Sequence, residues 1–218
     1  MNTVVYIHSY PGATDTLRML WPGFKLLGWP LAGVETTDGV CKWPEPIRTI
    51  KAGRNAYFTQ DRRNLPERLL ATFDDFLASE YEYAVILEYD TLILGPMDPP
   101  QPGFTAHIGG YQAAGSDAPY FLYTPWIADR NTAQWMTFEG RRVIAEGVCD
   151  RGCNGAPDQF IGIILDRLGI QFRESGTFSA NTIDTTQIAD AANKAYREGC
   201  NFFHGVKREE HRRAVLGV

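Results

Sequence analysis

Apolar positions along this chain follow two rhythms. Short runs of adjacent apolar residues alternate with longer stretches in which apolar residues return every three or four positions, the marks of buried strands and amphipathic helices. Thr3-Val4-Val5-Tyr6-Ile7-His8 reads as the first strand, closed by a turn at Ser9-Tyr10-Pro11-Gly12. Thr14 is placed to cap a short helix through Leu20, with Pro22 and Gly23 interrupting the chain beyond it. Over residues 66–79, Leu69, Leu70, Phe73, Phe76 and Leu77 share one helical face, and Pro66 suits the first helical position. That helix leads into Tyr83-Ala84-Val85-Ile86-Leu87, an unbroken apolar run expected of a strand covered on both faces. Residues 104–111 predict another strand, and residues 132–146 a helix with charge on one side. Residues 157–168 predict a helix with Phe160, Ile161, Ile164, Leu165 and Leu168 on its apolar face, and residues 186–198 a last helix stopped at Gly199. Strand and helix signals in alternation predict an α/β fold, a mostly parallel sheet flanked by helices. No internal repeat, low-complexity tract or linker divides residues 1–218, so a single domain is expected.

After Leu87 the apolar run drives straight into Glu88-Tyr89-Asp90 and resumes as Thr91-Leu92-Ile93-Leu94. A charge inside a buried strand is costly unless it is paired or bound to a metal. In one reading the strand ends at Leu87 and the acids belong to a polar turn. In the other, carboxylates at i and i+2 on an extended backbone point the same way and offer hard oxygen ligands to one divalent cation, Mg²⁺ or Mn²⁺. Two later segments favour the second reading. Asn201-Phe202-Phe203-His204-Gly205-Val206-Lys207 sets an imidazole, a glycine and an ammonium behind an aromatic pair. Imidazole with carboxylates suits Mn²⁺, and a lysine three residues on can neutralise a phosphate held by the same ion. Asn154-Gly155-Ala156-Pro157-Asp158-Gln159 opens a helix with an acid and an amide in its first turn. These are residue types of an acceptor site or a catalytic base, although an acid at that position also complements the helix dipole.

A net charge of −5 and a pI near 5.4 argue against a nucleic-acid-binding surface and leave a small anion or a glycan as the expected partner. No apolar stretch reaches the roughly 18 residues of a spanning helix, and no basic region precedes an apolar signal segment. A soluble, cytoplasmic protein is the default expectation. Cys41, Cys149, Cys153 and Cys200 are too few and too irregular for a disulfide scaffold. Idle or buried thiols are expected, with a Cys149–Cys153 disulfide left open if the protein meets an oxidising compartment. Cations gather in Lys51-Ala52-Gly53-Arg54-Asn55 and Asp61-Arg62-Arg63-Asn64.

Taken in order, these pieces resemble the GT-A-fold glycosyltransferases, which transfer a sugar from a nucleotide-sugar donor. Glu88-Tyr89-Asp90 looks like the D-x-D motif of that group with Glu for the first Asp, and His204-Gly205-Val206-Lys207 is similar to its C-terminal H-G-x-K element. The Pro-Trp that often comes after that lysine is replaced by Arg208-Glu209. The resemblance implies a Rossmann-like nucleotide-binding half over about residues 1–95 and an acceptor half over about residues 96–200. It implies Mn²⁺ or Mg²⁺ held by Asp90, His204 and Glu88, with Lys207 on the donor diphosphate. It also implies a nucleotide contact from Ser9 and Tyr10, a donor contact from Arg54 with Arg62 in reserve, and Asp158-Gln159 facing the sugar and acceptor. Asp158 would be the base of an inverting reaction, whereas a retaining reaction needs none there. The implied donor is a UDP-sugar, and the acceptor a glycan or another hydroxyl compound.

Two other classes remain in play. A catalytically silent nucleotide-sugar or glycan-binding module would carry the same residues, and Glu88 in place of Asp is compatible with it. Leu87-Glu88-Tyr89-Asp90-Thr91 also has a distant likeness to the D-x-D-x-T strand of haloacid-dehalogenase-like phosphatases. There the nucleophile is an Asp near the N-terminus, whereas here a Glu stands in mid-chain with one residue too few before the threonine.

Overall fold

The structure, a computed structural model, describes residues 2–53, 64–111, 120–148, 157–175, 177–179 and 185–216. Arg54, Arg62, Cys149 and Cys153 lie outside the described residues. In chain order the elements are β1 (Thr3–His8), a 3₁₀ turn (Pro11–Ala13), α1 (Thr14–Leu26), β2 (Leu31–Glu35), β3 (Arg48–Lys51) and α2 (Asn64–Ala78). Next come β4 (Tyr83–Glu88), β5 (Thr91–Ile93), β6 (Phe104–Tyr111), β7 (Tyr120–Asp129), α3 (Arg130–Ala145) and α4 (Pro157–Leu168). The chain continues through β8 (Phe172–Glu174), β9 (Thr177–Ser179), α5 (Thr185–Arg197), β10 (Phe202–His204) and α6 (Glu209–Leu216). Seven strands form a mixed sheet in the order β3-β2-β1-β4-β7-β6-β8, and three form a small sheet in the order β5-β10-β9. The first four strands of the large sheet are parallel, and β7 runs antiparallel to both β4 and β6.

The apolar runs of β1 and β4 are unbroken because both sheet faces are covered. Val4, Tyr6, Ala84 and Ile86 belong to one core with Leu69, Phe73 and Phe76 of α2 and Phe160 and Ile164 of α4. Val5, Ile7, Val85 and Leu87 belong to the other, with Leu17, Leu20 and Phe24 of α1 and Phe202 and Phe203 of β10. On the first face α2, α3 and α4 close tightly around Gly140, where an added Cβ would stand 2.8 Å from Leu70 Cδ2 and 3.1 Å from Ile164 Cδ1. Asp129 caps α3 by accepting a 2.7 Å hydrogen bond from the Thr132 N–H.

Several predicted boundaries are corrected. Helix α1 does not stop at Leu20 but continues through Pro22 and Gly23 to Leu26. Pro22 lies on the exposed side, while Leu17, Leu20, Trp21 and Phe24 are buried, so the apolar stripe outweighs the one lost backbone hydrogen bond. Thr14 is the first helical residue rather than its cap, and its hydroxyl donates to Pro11 O at 3.3 Å. Helix α2 begins at Asn64, ahead of Pro66. The helix ended by Gly199 is not the last, since α6 comes after it. The resumed run after Asp90 is no continuation of β4: it is β5, in the other sheet. No helix among the described residues is long and apolar enough to cross a membrane.

Candidate metal and anion site

Strand β4 ends at Glu88, and the chain turns through Tyr89 and Asp90 before β5 begins. The two acids are therefore brought together by a turn, and the extended i, i+2 geometry expected from the spacing does not hold. Pairing of the small sheet supplies the third group. β10 runs antiparallel to β5 with His204 opposite Thr91, which sets the next residue, Gly205, beside Asp90. The Gly205 and Val206 N–H groups both donate to Asp90 O, at 3.2 and 2.9 Å, and Gly205 takes φ +99°, a conformation open to glycine.

As a result His204 Nε2 lies 3.0 Å from Glu88 Oε2 and 3.2 Å from Asp90 Oδ1. One ligand atom from each of the three residues falls within 4.8 Å of the others. The other ring nitrogen, Nδ1, is 3.5 Å from the Thr124 hydroxyl on β7, and the Tyr123 ring packs edge-on 6.0 Å away. Asp90 is 3% exposed. Its Oδ1 is close enough to His204 to pair charges but is not aligned as a hydrogen bond, which leaves a buried carboxylate oxygen with no hydrogen-bond donor. Such an atom is costly unless a cation meets it, which the protonated His204 ring does in the metal-free protein and a divalent ion would do once the ring gives up its proton. Two carboxylates and an imidazole converging on one point suit Mn²⁺ or a similar ion. Lys207 Nζ stands 3.9 Å from Asp90 Oδ2 on the solvent side, and its backbone O accepts a 3.1 Å hydrogen bond from Thr16 of α1. Lys207, Arg208, Thr16 and Arg18 share a cleft of about 360 Å³ with the acids Asp15 and Glu209.

Charge is strongly redistributed here. Burial pushes the Asp90 carboxyl up, but the His204 and Lys207 cations outweigh it and hold the group below the usual carboxylate range. Burial pushes His204 down, and the Asp90 and Glu88 carboxylates overcome it and raise the imidazole well above its ordinary value. Asp158 stands half-buried in the first turn of α4, pushed up to about 6 mainly by burial and further by the Glu88 charge, while backbone N–H groups and His204 pull it down. Its neighbour Gln159 is buried, with Oε1 lacking a partner.

Glu88, Asp90, His204 and Lys207 are thus in contact, and Asp158 lies within their electrostatic reach. On the other side of the site, Tyr10 packs edge-on against Tyr89 at 5.1 Å. Ser9 is not free for a ligand: it is 1% exposed and its Oγ pairs with Cys41 Sγ at 3.3 Å. Arg54 falls outside the described residues. His8 is a satisfied core histidine, held neutral by burial and by the Arg68 charge, with Nε2 donating to Thr72 Oγ1 at 2.9 Å. Arg68 itself is absent from the residues singled out by sequence, yet it is buried where β1 and β2 end. The sequence carries no clear signal for it: at helical spacing Arg68 falls beside Thr72 and Asp75, off the apolar stripe of α2.

No protein-family model matches the chain, and no curated protein sequence matches it either.

Proposed function

We propose that this protein is a metal-dependent glycosyltransferase of GT-A type, moving a sugar from a nucleotide-sugar donor, a UDP-sugar by preference, to a hydroxyl on a glycan or similar acceptor. The observation that carries the reading is the convergence of Glu88, Asp90 and His204 at the carboxyl end of β4, with Lys207 beside them. Ligands bind beyond the carboxyl ends of strands in open α/β sheets, and the mixed sheet flanked by helices is the architecture this reading requires.

A bound Mn²⁺ or Mg²⁺ would stabilise the charge that grows on the leaving diphosphate. Asp90 and His204 would hold it, with Glu88 as the third ligand. Lys207, on a backbone fixed to Asp90 O through Val206 and to Thr16, lines the cleft beside Thr16 and meets diphosphate oxygens. Tyr10 offers an aromatic face to the nucleoside. Asp158, with its proton affinity raised towards neutrality, accepts the proton of the attacking hydroxyl if configuration inverts, and Gln159 beside it faces the sugar.

Incubation with Mn²⁺ and a panel of nucleotide sugars, with release of the nucleoside diphosphate as readout, tests the proposal. Mn²⁺-dependent release that disappears in Asp90→Asn is expected. Tight binding of the nucleotide sugar without any release or transfer would identify a silent binding module instead.

A further inference from the structure

Arg68 presents a problem that the metal site does not solve. It is 7% exposed and makes no ion pair within 4 Å among the described residues, although a buried guanidinium without a counter-ion is unfavourable. Its Nη2 donates to Ser9 O at 2.9 Å and to Val34 O at 3.1 Å, so one side chain ties together the ends of β1 and β2. Nε is buried without an acceptor.

The geometry around it leads to Glu88. Thr72, one turn further along α2, donates its hydroxyl proton to Arg68 O at 2.8 Å and so accepts from His8 Nε2. His8 is the register partner of Glu88 on the neighbouring parallel strand. Residues opposite each other in a ladder project from the same face, so Glu88 leaves the sheet on the side of α2. Glu88 therefore stands between two cationic residues, Arg68 on the α2 side and His204 on the side of the small sheet, the latter in direct contact at 3.0 Å.

We propose that Arg68 is a positioning residue of the site: it fixes the ends of β1 and β2, and its charge holds the Glu88 carboxylate in the place from which it reaches His204 and the metal. The guanidinium is then balanced from beyond ion-pair distance, first by the ligand-bearing Glu88 carboxylate and next by Asp38. The drop of the guanidinium to about 10 by burial, relieved mainly by Glu88, agrees with this arrangement.

The inference rests on the proposed metal site, and the test separates the two. Mn²⁺ affinity is measured by calorimetry for the whole chain and for Arg68→Met and Arg68→Lys, and histidine ring NMR spectra are recorded without metal. A positioning role predicts Mn²⁺ binding weaker by roughly 10- to 100-fold in Arg68→Met, the usual scale for a lost supporting partner. Lysine keeps the charge but not the planar fork, so Arg68→Lys recovers only part of the loss. The metal-free spectra should show the His204 ring displaced in both variants while His107, paired with Glu174, stays in place. Unchanged or tighter Mn²⁺ binding in folded Arg68→Met overturns the proposal, since a mere neighbouring cation would only repel the metal. If Arg68→Met does not fold, Arg68→Lys carries the same reading. If the wild-type chain binds no Mn²⁺, the metal site falls, and an unmoved His204 ring then rejects Arg68 as well.

Discussion

Replacing Asp158 by asparagine should make the protein more stable at alkaline pH and, if the proposed reaction inverts configuration, slow its chemistry. Asp158 sits in the first turn of α4, half-buried, with its carboxyl pushed up to about 6 chiefly by burial and then by the Glu88 charge; His204 and backbone N–H groups oppose the rise. A carboxyl raised above its unfolded value binds a proton in the folded chain that the unfolded chain has already lost. Stability therefore falls as pH climbs from about 4 to about 6, and the full penalty stands above that window. The whole rise corresponds to about 3 kcal/mol between the two protonation states, and solvent screening at a partly exposed group brings the usable part to about 1–2 kcal/mol. Asparagine has the shape of the neutral acid and keeps its acceptor oxygen for the helix N-terminus, so Asp158→Asn escapes the penalty at every pH. Urea denaturation with a chelator present, at pH 8 and at pH 5, measures it. The variant should gain about 1–2 kcal/mol at pH 8 and about half of that at pH 5. An equal difference at both values, or a loss at pH 8, would refute the assignment of a strained carboxylate. Sugar transfer by the same variant should drop by roughly 10²-fold or more if the reaction inverts configuration.

Lys207→Ala should leave stability within about 0.5 kcal/mol, because the side chain is 55% exposed, while weakening UDP binding in the presence of Mn²⁺ by roughly tenfold or more in calorimetry. Gly140→Ala should destabilise the fold by about 1–3 kcal/mol in chemical denaturation, since its methyl group would press on Leu70, Ile164 and Phe160 at once. Mn²⁺ at a hundredfold excess over its dissociation constant should stabilise the wild-type chain by about 2.7 kcal/mol, and Asp90→Asn should erase that gain in a thermal-shift measurement.

The chain is most legible where burial leaves an unbroken pattern. β1, β4, β6 and α4 all emerge from apolar runs or helical spacing, because two covered sheet faces demand apolar residues without alternation. The strands that the pattern misses have other causes: β7 carries Pro125 inside its run, β2 contains a glycine that Trp43 overlies, β3 is mostly exposed, and β8, β9 and β10 are three residues long. The run through Pro22 shows the opposite failure, a local breaker overruled by tertiary burial. At the site, ligand types suggest Glu88, Asp90 and His204 together, but their meeting depends on the pairing of β5 with β10, a contact between residues more than a hundred positions apart that spacing does not encode. Ser9 misleads because a polar residue at a strand end ordinarily faces solvent, whereas here Cys41 covers it. Arg68 escapes notice because a cation off the apolar stripe of a helix ordinarily lies on the surface, whereas here the ends of β1 and β2 cover it.

The central claim is that one divalent ion is held between Asp90, Glu88 and His204. Crystals grown with Mn²⁺ and UDP, measured at the manganese absorption edge, test it most directly. The account predicts an anomalous peak about 2.0–2.3 Å from an Asp90 carboxylate oxygen and from His204 Nε2, with diphosphate oxygens completing the shell near Lys207. An ion bound elsewhere, or no peak between these residues with UDP in place, would contradict it.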